Sequence, residues 1–273
     1  MLTFVSADWV EQRLDSPDFQ VLDPRSSIRY MAGHPRNAIN VSVAKARDSN
    51  GRIFSAEDLA RWLGACGVDD RRTPVLYDNS DGRNAALLAW MLMYLGRSDV
   101  HLMNSFWERW VADGREAFYR PVKAAPQNFT ARVRPELRRT MSEVQRDVQD
   151  DARGGSNGKT SRKLVDLRSV DEFAGKLESD PRPGHIPGAV NIVWQELASK
   201  DGTLLAPSER IDELFAAQGV GPQDRVVAYC KTGLRAALGF LALAQMGREV
   251  ALYDGSYAEW AQSDLPVERA LTK

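Results

Sequence analysis

The chain has 273 residues, more comfortable as two cores of ordinary size than as one. Its 36 Lys and Arg nearly balance 37 Asp and Glu, so no global field directs it to nucleic acid or to an anionic membrane surface. The stretch MLTFVSADWVEQRLDSPDF lacks a basic n-region and an apolar h-region, and no run approaches the ~18 apolar residues of a spanning helix, so a soluble cytoplasmic protein is expected.

In chain order, VLDPRSSIRYMAGHPRNAINVSV (residues 21 to 43) comes first, followed by the helical stretch AEDLARWLGAC (56 to 66). PVLYDNSDGRNAALLAWMLMYLG (74 to 96) and HLMNSFWERW (101 to 110) complete this half. VKAAPQN (122 to 128) reads as a linker, RPELRRTMSEVQRDVQD as a polar helix opening the next half, and ARGGSNGKTSRK (152 to 163) as a mobile Gly/Ser-rich loop. The GKTS in that loop is a poor P-loop, because Arg153 stands where the first glycine is needed and no strand precedes it.

The first pattern then returns. LVDLRSVDEF (from 164) with GHIPGAVNIVW (from 184) echoes residues 21 to 43, and DGTLLAPSERIDELFAAQGV echoes the region of Gly51 to Val68. RVVAYCKTGLRAALGFLALAQMG echoes residues 74 to 96, and ALYDGSYAEW echoes HLMNSFWERW. Four echoes in constant order indicate a duplicated domain rather than a solenoid. Domains over 1–121 and 129–273, joined by 122–128, are expected. Short β-branched runs such as LVDL, RVVAY and EVALY alternate with helical stretches, which predicts α/β domains, each a parallel sheet flanked by helices.

Two cysteines, Cys66 and Cys230, make no disulfide framework, and three scattered histidines make no metal cluster. Cys230 directly follows RVVAY and precedes a helix, which places CKTGLR at the carboxyl edge of a sheet, where ligands bind. A helix N-terminus, Lys231, Arg235 and the flexible Gly233 all favour an anion there, and such surroundings favour the nucleophilic thiolate. Aligning YDNSDGR on YCKTGLR sets Asp78 against Cys230 and Arg83 against Arg235, so the first copy lacks the nucleophile. His185 in GHIPGA is read as a structural hydrogen-bonding residue, since a thiolate needs no general base. Asp166 and Arg168 recur as Asp23 and Arg25, which leaves a structural ion pair and a site role open. Trp107, Trp110 and Trp260 are read as packing residues.

On CKTGLR, GHIPGAVNI (184 to 192) and YDGSYAEW (253 to 260), with Tyr257 where Trp is more usual, the chain resembles the two-domain rhodaneses, the thiosulfate and 3-mercaptopyruvate sulfurtransferases, over almost its whole length. The resemblance implies two tandem rhodanese-like domains, the first inactive because Asp78 stands at the cysteine position. It also implies a relay in which Cys230 takes the sulfane sulfur of a small anionic donor as a persulfide and passes it to cyanide or a cellular thiol, with thioredoxin and glutathione as candidate acceptors. The backbone of Lys231, Thr232, Gly233, Leu234 and Arg235 would stabilise the persulfide, and no metal or organic cofactor is required. Two loop cations favour thiosulfate as donor, with mercaptopyruvate as the alternative. The loop matches neither the C-G-S-G-V-T nor the C-R-K-G-V-T form. Asp171 and Glu172 stand where a substrate arginine often lies, which leaves Arg168 and Arg182 as substitutes. A Cys-loop phosphatase or arsenate reductase uses C-x5-R, one residue longer than the spacing here; a non-catalytic sulfur-binding module is the remaining alternative.

Overall fold

The computed structural model describes residues 2–49, 51–79, 81–152, 162–177 and 180–269. GKTS, residues 158 to 161, lies outside them. In the first half the elements are β1 (Thr3–Val5), α1 (Ala7–Glu11), β2 (Phe19–Asp23), α2 (Ser27–Met31), β3 (Ile39–Asn40), α3 (Ala56–Ala65), β4 (Thr73–Asp78), α4 (Arg83–Tyr94), β5 (His101–Phe106) and α5 (Trp107–Ala112). The second half has α6 (Met141–Ala152), β6 (Arg162–Asp166), α7 (Val170–Ala174), β7 (Val190–Asn191), α8 (Ser208–Ala217), β8 (Arg225–Tyr229), α9 (Leu234–Gln245), β9 (Val250–Leu252) and α10 (Ser256–Trp260). The expected α/β class is found, with one parallel sheet in each half.

Strand order is β1-β5-β4-β2-β3 in the first sheet and β7-β6-β8-β9 in the second. The central strand β8 is apolar and buried from Val226 to Tyr229, as a strand covered on both faces requires. Helix α9 is correspondingly apolar nearly all round, and it packs on β8, on β9 and on the turn of 3-10 helix at Trp194–Leu197. The order in which strands are added reverses between the parallel neighbours β6 and β8. From β6 the chain passes to β7 on one side, and from β8 to β9 on the other. The crevice at their carboxyl ends is the binding position of an open parallel sheet, and residues 167 to 172 and 230 to 235 flank it.

The chain divides into two compact units, Met1–Arg134 with Ser199–Leu205, and Pro135–Ala198 with Ala206–Lys273. Residues 122–128 count with the first unit, where the Gln127 N–H donates to the Gly64 carbonyl. Further along, Arg132 and Arg134 donate to Leu95 and Tyr94. The polar helix of the second unit is α6, entered through Thr140, whose N–H and hydroxyl both reach Glu143. Each core is closed by the same device. Trp110 and Trp260 are buried, and their indole N–H groups donate to the carbonyls of Glu116 and Pro266, six residues on in each case. Among the described residues no helix is long and apolar enough to cross a membrane.

Candidate active site

Cys230 is the first residue past β8, and only Lys231, Thr232 and Gly233 separate it from α9. So short a turn needs a left-handed residue, and Gly233 supplies φ +88°. A Cβ there would also come within 3.1 Å of the Asp254 carbonyl oxygen. The loop lies on the segment after β9. The Cys230 N–H donates to Ser256 Oγ at 3.2 Å, the Ser256 hydroxyl donates to the Tyr253 carbonyl at 2.8 Å, and the Tyr257 N–H donates to the Cys230 carbonyl at 2.9 Å. Arg138 grips Asp254 with two hydrogen bonds of 2.8 and 2.7 Å and so fixes this floor. Cys230 itself is 1% exposed, whereas Thr232 is exposed and Leu234 half-buried.

Each of the two loop cations meets a carboxylate. Arg235 presents Nη1 to Glu172 Oε2 at 2.6 Å and Nη2 to Oε1 at 2.8 Å, and against the cost of burial Glu172 and the neighbouring Cys230 sulfur hold the guanidinium above its usual pKa. Burial works to raise the Glu172 carboxyl, but Arg235 and the Ser169 N–H outweigh it and bring the pKa down to about 2. Lys231 Nζ lies 3.4 Å from Asp180 Oδ1. Sequence reading did not anticipate these pairings. The Ser169-x-x-Glu172 capping box, found intact, was the available signal for Glu172; Asp180 carries no local signal at all.

Arg168 and Arg182, the two candidate donor-binding arginines, are both engaged by groups of the protein, and Arg168 Nη1 also lies 3.7 Å from Asp180 Oδ2, the carboxylate that Lys231 meets. Arg168 is fully buried, bonded through Nε and Nη2 to Asp166, and donates to the Gly184 carbonyl at 2.6 Å. Its guanidinium stacks 3.9 Å from the Tyr257 ring centre. Arg25 makes the same bonds to Asp23 and to the Gly33 carbonyl in the copy without a cysteine, so this arrangement accompanies the fold and not the thiol. Arg182 donates to three carbonyls, of Trp260, Ala261 and Leu265, and thereby ties down the chain after α10. His185 stacks on Phe173 at 3.7 Å, with Nδ1 2.8 Å from the Phe173 carbonyl oxygen; His34 stacks on Tyr30 in the same way.

The first copy shows what its loop does with an anion. Asp78 Oδ2 accepts the N–H groups of Asn84 and Ala85 at 2.7 and 2.9 Å, and Oδ1 accepts that of Asn79 at 2.9 Å. Asn84 and Ala85 are the second and third residues of α4, with N–H groups that have no acceptor inside the helix. The carboxylate thus fills an anion cradle at the helix N-terminus. Counting back from the helices corrects one pairing. Gly82 (φ +64°) and Gly233 are the equivalent N-caps, so the first loop is one residue longer, and the helix position of Arg235 corresponds to Asn84, not to Arg83. Arg83 bonds Asp81 at 2.6 Å.

A rhodanese-like domain model matches the chain twice, over residues 6–113 and 148–263. A Haloferax volcanii protein named "Putative thiosulfate sulfurtransferase" is 32% identical over 97% of this chain and 96% of its own length. The "Sulfur carrier protein TtuD" of Thermus thermophilus is 30% identical over 94% of this chain and 92% of its own. Among solved structures, an EanB variant in complex with ergothioneine superposes with a TM-score of 0.86 at 24% identity, over 99% of this chain and 70% of that one; this likeness concerns the fold. The twofold match, the twin sheets and the relatives spanning nearly the whole chain agree with the resemblance carried by CKTGLR, GHIPGAVNI and YDGSYAEW: the chain belongs to the rhodanese family of sulfurtransferases and has two rhodanese-like domains.

Proposed function

We propose that the protein transfers sulfane sulfur from thiosulfate to a thiophilic acceptor through a persulfide on Cys230. The observation that carries this reading is the pair of homologous loops: one is filled by the Asp78 carboxylate on helix N–H groups, and the other leaves a cysteine at the same strand end. In the first step the Cys230 thiolate attacks the outer sulfur of thiosulfate; an S–S bond forms, the donor's S–S bond breaks, and sulfite leaves with the electron pair. In the second step the acceptor attacks the outer persulfide sulfur and releases the Cys230 thiolate, giving thiocyanate from cyanide or a new persulfide from a thiol such as glutathione or thioredoxin. Two displacements at one residue predict ping-pong kinetics.

The N–H groups of Lys231 to Arg235 and the α9 N-terminus support the persulfide anion in this scheme, as fixed dipoles that need no reorganisation. Arg235, in the first turn of α9 beside Cys230, contributes a charged donor. A sulfur atom buried this deeply favours donors that present a single exposed sulfur end-on. The names of the Haloferax volcanii and other relatives support thiosulfate. Mercaptopyruvate is the second reading, because Glu172 and Asp180 offset the cations that would attract a dianion. A cyanide assay with each donor tests the proposal. Thiocyanate production is expected from the wild type, with higher kcat/KM for thiosulfate, and is expected to fall at least ~1000-fold in Cys230→Ser. Full turnover in that variant would remove Cys230 from the mechanism.

A further inference from the structure

Glu172 is one side chain removed from the sulfur. Its two oxygens occupy both terminal nitrogens of Arg235, which stands in the first turn of α9, beside the Cys230 loop. The pair is well sheltered, with side-chain exposures of 18% for Arg235 and 11% for Glu172. The fold does not demand a carboxylate here. In the first copy the same strand is followed by the same capped helix, with Ser26 capping the N–H of Arg29 as Ser169 caps that of Glu172. Arg29, of opposite charge, therefore stands at the Glu172 position where there is no thiol.

We infer that Glu172 is a positioning residue that tunes donor specificity: it fixes the Arg235 guanidinium beside Cys230 and cancels its charge, so that the loop attracts a dianionic donor less strongly than an uncompensated Arg235 would, and the difference is smaller for donors of lower charge. An Arg235 fork engaged on Glu172 cannot also clamp a donor through the same two nitrogens. Lys231 lies against Asp180, which Arg168 also reaches, and Arg168 is paired with Asp166, so these three cations and three carboxylates sum to zero. The inference rests on the persulfide reading. It also explains a loop that is cationic in sequence yet neutral in its setting.

Glu172→Gln is the informative variant, because glutamine serves equally well in a capping box and keeps an oxygen for Arg235 while removing the charge. Coulomb energy scales with donor charge, so KM should fall about ten-fold for thiosulfate, a dianion, and about three-fold for mercaptopyruvate, a monoanion, and the difference should narrow at high salt. Glu172→Asp keeps the charge but shortens the fork, and should lower kcat for both donors without lowering either KM. Unchanged KM values in Glu172→Gln, equal changes for both donors, or failure of that variant to fold would each overturn the inference. Failure of the underlying reading is distinguishable, because the wild type would then form no persulfide with either donor.

Discussion

Asp78 and Cys230 occupy one position in two copies of a loop, and their differences are chemical. Asp78 is fully buried, and desolvation pushes its carboxyl up to about 7, although the N–H groups of Ala85 and Asn79 pull the other way and Asp81 adds repulsion. Between an unfolded value of ~3.9 and the folded one, the native protein holds a proton that the unfolded chain releases. Stability from this group is therefore present at low pH and declines as pH rises through that window. Asp78→Asn has no such proton, so its stability relative to wild type should improve by about 2 kcal/mol between about pH 5.5 and about pH 8. Urea unfolding at the two pH values measures this; a pH-independent difference would contradict it. Residue chemistry was legible where a type stood out, as with Cys230. It was not legible for Arg168, since an arginine beside an aspartate has the same spelling in a buried fork and in a substrate clamp. The repeat of both in Asp23 and Arg25, with the same bonds, shows that the buried fork accompanies the fold in both copies.

At the scale of elements, the strand, turn and helix around Cys230 form a rigid unit whose tightest point is Gly233. Any other residue there adopts a left-handed conformation at a cost of about 1–2 kcal/mol, and its Cβ presses on the Asp254 backbone. Gly233→Ala should lose roughly that much stability, and it should slow persulfide formation by a larger factor than Asp78→Asn, because it displaces the first turn of α9 under the sulfur. Thermal melts and single-turnover sulfite release read the two effects; a destabilised variant with wild-type single-turnover kinetics would show that the turn does not position the reacting atoms. The apolar run of α9 and the β-branched run of β8 identified this unit in sequence, since burial on all sides leaves no alternative to hydrophobic residues. The one-residue difference between the two loops stayed hidden, because strand-anchored alignment carries no information about where a helix begins.

At the scale of the molecule, duplication made the fold legible: each half supplied the other's control, and parallel α/β architecture followed from elements that alternate twice in the same order. Contacts between elements were much less legible. Glu172 and Arg235 are 63 residues apart, and they meet because β6 and β8 are parallel neighbours in the sheet, a fact of strand order that periodicity does not contain. Ser199–Leu205, which counts with the first unit although it follows β7, was likewise invisible to a reading that divides the chain at one point. The proposed relay depends on covalent sulfur at one residue of one copy. Intact-protein mass spectrometry after thiosulfate treatment tests that directly. A gain of about 32 Da, reversed by excess thiol and absent from Cys230→Ser, is predicted for a persulfide; no gain under turnover conditions, or a gain that survives in Cys230→Ser, would contradict it.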